Sequence, residues 1–252
     1  INVFSSFKEL KKKSFKKKID YIMCSITGLA GLDTTINCID TTKNIAIANK
    51  ESIICAWDLI KAKLTKHKTK FIPIDSEHFS IWSLLKSENI ENIKSIYLTA
   101  SGGPFLNRKL ENIKNIKPEF ALKHPNWKMG KKISIDSATM MNKIFEIIEA
   151  KKIFDIEFKK FDILIHPKSY IHAIVKLKNG LIKIIAHDTD MQIPISNSIY
   201  MGSKNKKFIK VKRINLDILN SLNLQNVNVK KFPVINLLKK IPEKDSLFET
   251  VL

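Results

Sequence analysis

Residues 21–74 read YIMCSITGLAGLDTTINCIDTTKNIAIANKESIICAWDLIKAKLTKHKTKFIPI, and the alternation inside this stretch sets the fold class. Residues 21–26 form a compact apolar run that stops at Thr27-Gly28, the pattern of a buried strand. A helix is predicted over 32–40, a second strand over 44–48, an amphipathic helix over 51–66 and a third strand over 71–74. Strands and helices alternating at this spacing predict a parallel α/β sheet, in which ligands gather at the carboxyl ends of the strands.

On the amino-terminal side, the lysine runs 11–13 and 16–18 suit a solvated helix face or a connecting segment. On the other side, a strand over 96–99 leads into the turn Ser101-Gly102-Gly103-Pro104 and then into a polar loop through His124–Gly130. A strong helix is predicted over 138–154, capped by Asp136 or Ser137. Strands follow near 161–166, 171–177 and 181–187, the last two joined by a turn at Asn179-Gly180. Beyond Ser203 a Lys/Asn-rich stretch reads as a linker leading to another unit.

A chain of 252 residues can bury one large core or two smaller ones, and 44% apolar content is ordinary for a globular protein. No apolar run approaches the roughly 20 residues that span a bilayer. The opening Ile1-Asn2-Val3-Phe4 has neither a starting methionine nor the pattern of a secretory leader, so the chain reads as a fragment. The net charge of +20 invites a nucleic-acid reading. Its chemistry argues against one, because the excess is almost all lysine, with Arg108 and Arg213 the only guanidinium forks for bidentate phosphate or base contacts. The lysines are also scattered along the chain, which fits compositional drift better than a binding stripe. Cys24, Cys38 and Cys55 form no close pair in sequence and no Cys-x-x-Cys. Each reads as a small buried hydrophobe in a reduced compartment.

Four groups of residues could carry chemistry. Asp75-Ser76-Glu77 follows the strand over 71–74, and continued extension would turn residues 75 and 77 to one side, where two carboxylates can share a hard cation. On the helix 138–154, Met141, Ile144, Phe145 and Ile148 form an apolar stripe opposite Asn142, Lys143, Glu146 and Glu149. Periodicity alone favours an exposed Lys143–Glu146 pair there, whereas the functional reading makes Glu146 a third cation ligand. Ser101-Gly102-Gly103 and Ser137, each a common turn or cap, could together with Asn142 and Lys143 receive one phosphate. Trp127 and Met129, in the polar loop after His124, suit either a lid or an anchor pinning that loop. His166 and His172 read as structural, and no histidine has convincing metal-ligand spacing.

The strings IANKES (47–52), PIDSEH (73–78), TASGGPF (99–105), HPNWKMGKKISIDSATMMNK (124–143) and IHPKSYIH (165–172) resemble, in order and spacing, the motifs of the 1-deoxy-D-xylulose 5-phosphate reductoisomerase family. The similarity covers roughly residues 20–200, and DSEHFSIW and MNKIFE resemble alphaproteobacterial members. The resemblance implies the later part of a Rossmann-like NADPH domain (1–74), an α+β catalytic domain (75–203) with a closing loop (101–130), and the start of a C-terminal unit (204–252). It implies Asp75, Glu77 and Glu146 as ligands of Mg²⁺ or Mn²⁺, and Ser101, Ser137, Asn142 and Lys143 as phosphate binders. Lys50, Ser76 and Glu77 would contact the rest of a sugar phosphate, with His124 and Trp127 in the closing loop. Asn49, Glu51 and Gly130 would touch NADPH, and Met129, with Met191, would lie near the nicotinamide. A bacterial, cytoplasmic homodimer with no membrane or specific nucleic-acid partner is implied as well.

The family's Gly-rich dinucleotide fingerprint has no counterpart, since Gly28-Leu29-Ala30-Gly31 has the wrong spacing. The C-terminal helical domain is absent too, because the chain stops at Thr250-Val251-Leu252. His187-Asp188-Thr189-Asp190-Met191 departs from the commoner Pro-Asp-Met pattern. Two rivals remain at this point: a noncatalytic basic α/β protein that binds nucleic acid, and an NADPH oxidoreductase that needs no metal.

Overall fold

The structure, a computed structural model, describes residues 3–4, 6–12, 17–113, 115–200, 209–210, 212–243 and 247–252. Residues 13–16 of the basic stretch and the boundary at 203–204 lie outside the described residues. The chain divides into two compact units, Ile1–Ile74 and Asp75–Leu252.

The first unit contains α1 (Phe7–Lys12), β1 (Ile22–Cys24), α2 (Ala30–Cys38), β2 (Asn44–Ile47), α3 (Lys50–His67) and β3 (Lys70–Pro73). Its strands pair in the order β1-β2-β3, all parallel, with Ile22 opposite Ile45 and Ile45 opposite Phe71. The run Ile45-Ala46-Ile47 is buried, as a central parallel strand covered on both faces requires. Trp57 of α3 packs edge-on against Phe71 at 5.1 Å, joining helix to sheet. Asn49 caps α3 by accepting the Ser52 N–H at 2.7 Å. Its amide nitrogen donates to the carbonyls of Ile26 and Gly28, so one side chain starts α3 and holds the β1–α2 turn.

The second unit contains α4 (Ser76–Leu85), β4 (Ile93–Ala100), α5 (Pro118–Ala121), α6 (Lys131–Thr139), α7 (Met141–Phe154), β5 (Phe161–Ile165), β6 (Ile171–Leu177), β7 (Ile182–Ala186), α8 (Gln192–Ile199), α9 (Leu216–Asn220), β8 (Gln225–Asn226) and α10 (Phe248–Val251). Its sheet runs β7-β6-β4-β5-β8, with β4 and β5 parallel and the other neighbours antiparallel. Ile81 and Leu84 of α4 and Ile147 and Ala150 of α7 close the core over Ile96, Leu98, Ile163 and Val175.

Two expectations change here. The single helix over 138–154 is two helices: Met140 adopts a left-handed conformation (φ 69°) and separates α6 from α7. Ser137 therefore sits in the last turn of α6, and neither it nor Asp136 is an N-cap. Residues 204–252 were read as a linker and the start of another unit. Instead β8 pairs with β5, and Phe232 is buried in the core of the second unit.

Candidate active site

The carboxylates of Asp75 and Glu77 meet by helix capping, not by the strand alternation expected from sequence. α4 begins at Ser76, and Asp75 is its N-cap, with Oδ1 accepting the Glu77 N–H at 3.2 Å. From α7, Glu146 brings a third carboxylate, and one oxygen from each of the three lies within 4.8 Å of the others.

Lys143 lies among them. Its ammonium donates to Glu77 Oε1 at 2.8 Å and to Glu146 Oε2, while the Asn142 amide donates to Glu146 Oε1. Lys143 and Glu146 are 5% and 2% exposed, which overturns the surface-pair reading that periodicity favoured. Burial would favour neutral forms of Glu77 and Lys143, but each charge overrides it. The Lys143 ammonium, with His172 and the Ser76 hydroxyl, holds Glu77 well below the usual carboxylate range. Glu146 and Glu77 hold Lys143 above the usual amine range. Three carboxylates against one ammonium leave two negative charges in excess. That excess and the all-oxygen donor set fit a hard divalent cation.

His78 is a member of this centre that the sequence reading missed. Its Nε2 donates to the Glu146 carbonyl at 2.8 Å, and its Nδ1 lies 3.8 Å from Asp75 Oδ1. Burial opposes its charge, yet the Glu149 and Asp75 carboxylates and the Glu146 carbonyl leave its pKa raised. The available signal was its place three residues after Asp75 in a buried helix.

Beside the carboxylates, Ser101 is prepared as a donor. His124 Nδ1 accepts the backbone N–H groups of Asn126 (3.2 Å) and Trp127 (2.9 Å). A neutral ring then carries its proton on Nε2, which donates to Ser101 Oγ at 3.0 Å. Burial and the nearby Lys143 charge both lower the His124 pKa and favour that neutral ring. Ser101 Oγ also accepts the Gly103 N–H at 3.0 Å, which leaves its own hydrogen to donate outward.

Gly103 packs against the end of α6: a Cβ there would lie 2.9 Å from the Ser137 carbonyl oxygen, and φ is +63°. This contact places the turn after β4 against Ser137. Gly103→Ala is expected to cost about 1–3 kcal/mol, from strain at positive φ together with the clash. Urea denaturation monitored by circular dichroism would measure it, and an unchanged midpoint would refute the contact.

Trp127 meets His172 edge-on at 6.2 Å, and His172 stacks on His187 at 3.7 Å while donating from Nε2 to the His187 carbonyl at 3.1 Å. Asn126 anchors the same loop to Pro167 O (2.7 Å) and Ser169 Oγ (2.8 Å). Burial, against the attraction of Glu77, pushes His172 down to about 4. Below pH 6.5 the unfolded chain binds a proton that the folded ring refuses until about pH 4. Stability contributed by the neutral ring is therefore lost as pH falls through that window. His124, His166 and His187 shift in the same direction, and His78 in the opposite one. His172→Gln should flatten the fall by up to about 1.4 kcal/mol per pH unit, read from urea melts between pH 6.5 and 5. Parallel slopes for the two proteins would contradict it.

Of the other residues singled out by sequence, Lys50, Glu51 and Asn49 lie at the start of α3 in the first unit. The Asn49 amide is fully engaged in its cap and turn contacts. Gly130 is the N-cap of α6, Met129 precedes it half-buried, and Met191 is exposed at the start of α8.

Fold and site define an α/β protein in which a parallel-sheet unit is followed by a mixed-sheet unit that gathers three carboxylates around a buried lysine. Two family models match it, "1-deoxy-D-xylulose 5-phosphate reductoisomerase" over residues 1–57 and the C-terminal domain of the same enzyme over residues 71–154. The 1-deoxy-D-xylulose 5-phosphate reductoisomerase of Pelagibacter ubique is 57% identical over all of this chain and 65% of its own length. That of Clostridium novyi is 41% identical over 89% of the chain and 57% of its own length. Among solved structures, the Zymomonas mobilis enzyme in complex with NADPH aligns with a TM-score of 0.78 at 35% identity. It covers 88% of this chain and 56% of that one. A DOX-P reductoisomerase in complex with NADPH, fosmidomycin and magnesium aligns with a TM-score of 0.82 at 34% identity, over 93% and 60%. The chain belongs to the 1-deoxy-D-xylulose 5-phosphate reductoisomerase family, and it spans under two thirds of the length of these relatives.

Proposed function

We propose that the protein carrying this chain isomerises 1-deoxy-D-xylulose 5-phosphate and reduces the product with NADPH to 2-C-methyl-D-erythritol 4-phosphate, a step toward isoprenoid precursors. The observation that carries this reading is the convergence of Asp75, Glu77 and Glu146 around Lys143. Mg²⁺ or Mn²⁺ held by the three carboxylates would polarise the substrate carbonyl, and NADPH would supply the hydride. Both groups are bound in the DOX-P reductoisomerase complex above.

The chain's own side chains do the rest. Ser101 donates its free hydrogen to a phosphate oxygen, with Ser137 beside the same turn and Asn142 and Lys143 at the start of α7. Lys143 is tied to carboxylates in this arrangement and would turn to the phosphate once a dication neutralises them. Ser76, Glu77 and Lys50 orient the substrate hydroxyls. The loop over 101–130 closes with Trp127 against His172, excluding water from the reactive aldehyde. Glu51, Gly130, Met129 and Met191 contact the cofactor, and Asn49 serves it by holding the turn before α2.

Residues 1–74 would be the later part of the cofactor domain and 75–203 the catalytic domain, whose sheet and core the segment after 204 extends through β8 and Phe232. A bacterial cytoplasmic homodimer fits the same reading. Leu181, Ile182 and Ile184, exposed at the edge strand β7, are apolar surface that a second copy would cover.

The test incubates the whole protein with NADPH, Mg²⁺ and 1-deoxy-D-xylulose 5-phosphate and identifies the product by mass spectrometry. 2-C-methyl-D-erythritol 4-phosphate is expected. A folded, NADPH-binding protein that leaves the substrate unchanged would overturn the assignment.

A further inference from the structure

His187 follows β7 and opens the segment, running to Met191, that departs from the family's commoner Pro-Asp-Met pattern. Its backbone N–H donates to the Tyr170 carbonyl at 2.9 Å, and its own carbonyl accepts from His172 Nε2. Beside these contacts the ladder slips. Ile171 lies opposite Ala186 and Ala173 opposite Ile185, so His172 is the extra residue of a bulge in β6. A bulge re-aims a side chain, and here the His172 ring lies 3.7 Å from that of His187 and 19° from parallel to it. Trp127 meets the same His172 ring edge-on at 6.2 Å.

Hydrogen bonding does not account for the His187 ring. Nδ1 donates to the Asp188 carbonyl at 2.7 Å, so Nε2 is the unprotonated nitrogen of the neutral ring. That nitrogen is buried and has no hydrogen-bond partner among the described residues. An unpaired buried acceptor costs free energy, so the contact that favours a ring at this place is the stack. Burial lowers the pKa of both histidines, which keeps the two rings neutral and free of mutual repulsion.

We propose that His187 is a positioning residue: its ring braces His172 in the orientation on which Trp127 of the loop over 101–130 docks. The His172 ring is fixed by the stack and by its bond to the His187 carbonyl. That carbonyl is present whatever side chain stands at 187, so substitutions there test the ring alone. Phenylalanine keeps a flat face and removes the unpaired nitrogen, whereas leucine keeps apolar bulk without the face and alanine removes both. The effect of the brace on turnover rests on the reductoisomerase reading; its effect on the loop does not.

The test follows tryptic cleavage after Lys123 and Lys128, the exposed lysines on either side of Trp127, in the whole ligand-free protein. Cleavage requires the loop to lift from its supports, so its rate reports the lifted fraction. His187→Ala and His187→Leu should speed it about 3–10-fold, the worth of one aromatic pair, with sites outside the loop cut at wild-type rates. His187→Phe should match wild type. In Trp127→Leu, which has no ring to dock, His187→Ala should add nothing further. In the same proteins, kcat/KM for 1-deoxy-D-xylulose 5-phosphate should fall by a similar factor in His187→Ala and recover in His187→Phe. Should His187→Ala unfold and be cut everywhere, His187→Leu against His187→Phe decides the matter. Loop cleavage within about twofold of wild type in His187→Leu would overturn the brace, as would His187→Phe cut as fast as His187→Leu. So would an acceleration that persists in Trp127→Leu. The expected cleavage pattern in a protein that leaves the substrate unchanged would support the brace and overturn the reductoisomerase reading alone.

Discussion

Lys143→Met should lower the stability of the metal-free protein by about 3–5 kcal/mol, because it leaves the buried Glu146 and the partly buried Glu77 without their shared cation. Methionine keeps most of the lysine stem's packing, so the loss reports the charge and not a cavity. For a unit of this size the shift in midpoint is on the order of 10 °C. Millimolar Mg²⁺ should restore much of it, since a dication between the same carboxylates replaces the missing charge, and ligand bound to the folded state alone stabilises it. The measurement is a pair of thermal melts, one in chelator and one in Mg²⁺. An unchanged midpoint in chelator would mean that Lys143 is not the counter-charge of this centre. Acidification acts on the same interaction: the depressed pKa of Glu77 contributes stability above the ordinary carboxylate range, and it is lost as pH falls through and below that range.

Glu146→Gln is the second large effect, and here activity falls more than stability. Glutamine keeps the shape, although its single amide oxygen can replace only one of the two carboxylate oxygens that accept from Asn142 and Lys143. It also removes one of the three carboxylates proposed to hold the metal. Mutations of groups that merely orient a metal's ligands cost roughly 10–100-fold, so loss of a ligand should reduce turnover by at least about 100-fold. The apparent requirement for Mg²⁺ should rise in parallel, measured by titrating the metal at saturating NADPH and substrate. Activity within a few fold of wild type would remove Glu146 from the metal centre.

How far the sequence could be read differs from one element to the next. The parallel strands of the first unit lie within a residue or two of their apolar runs, since buried parallel strands have little besides hydrophobicity to show. The break at Met140 was hidden, because no glycine or proline marks it and the helical pattern continues through it. Lys143 and Glu146 looked like a surface pair because α7 is buried on both sides, so its polar face meets carboxylates instead of water. Asp75 and Glu77 were named for a cation, but through alternation along a strand, whereas a capping bond brings them together. The stack of His172 on His187 joins residues 15 positions apart, beyond any local period. Motif resemblance named most residues of the site, but only folding showed which bonds those residues make.

The measurement that bears hardest on this reading is NADPH oxidation driven by 1-deoxy-D-xylulose 5-phosphate in the whole protein, run with chelator and again after Mg²⁺ or Mn²⁺ is restored. Turnover that stops in chelator and returns with the metal is predicted if Asp75, Glu77 and Glu146 form the catalytic metal centre. Turnover at an undiminished rate in chelator would contradict it and point to a metal-independent oxidoreductase on the same fold.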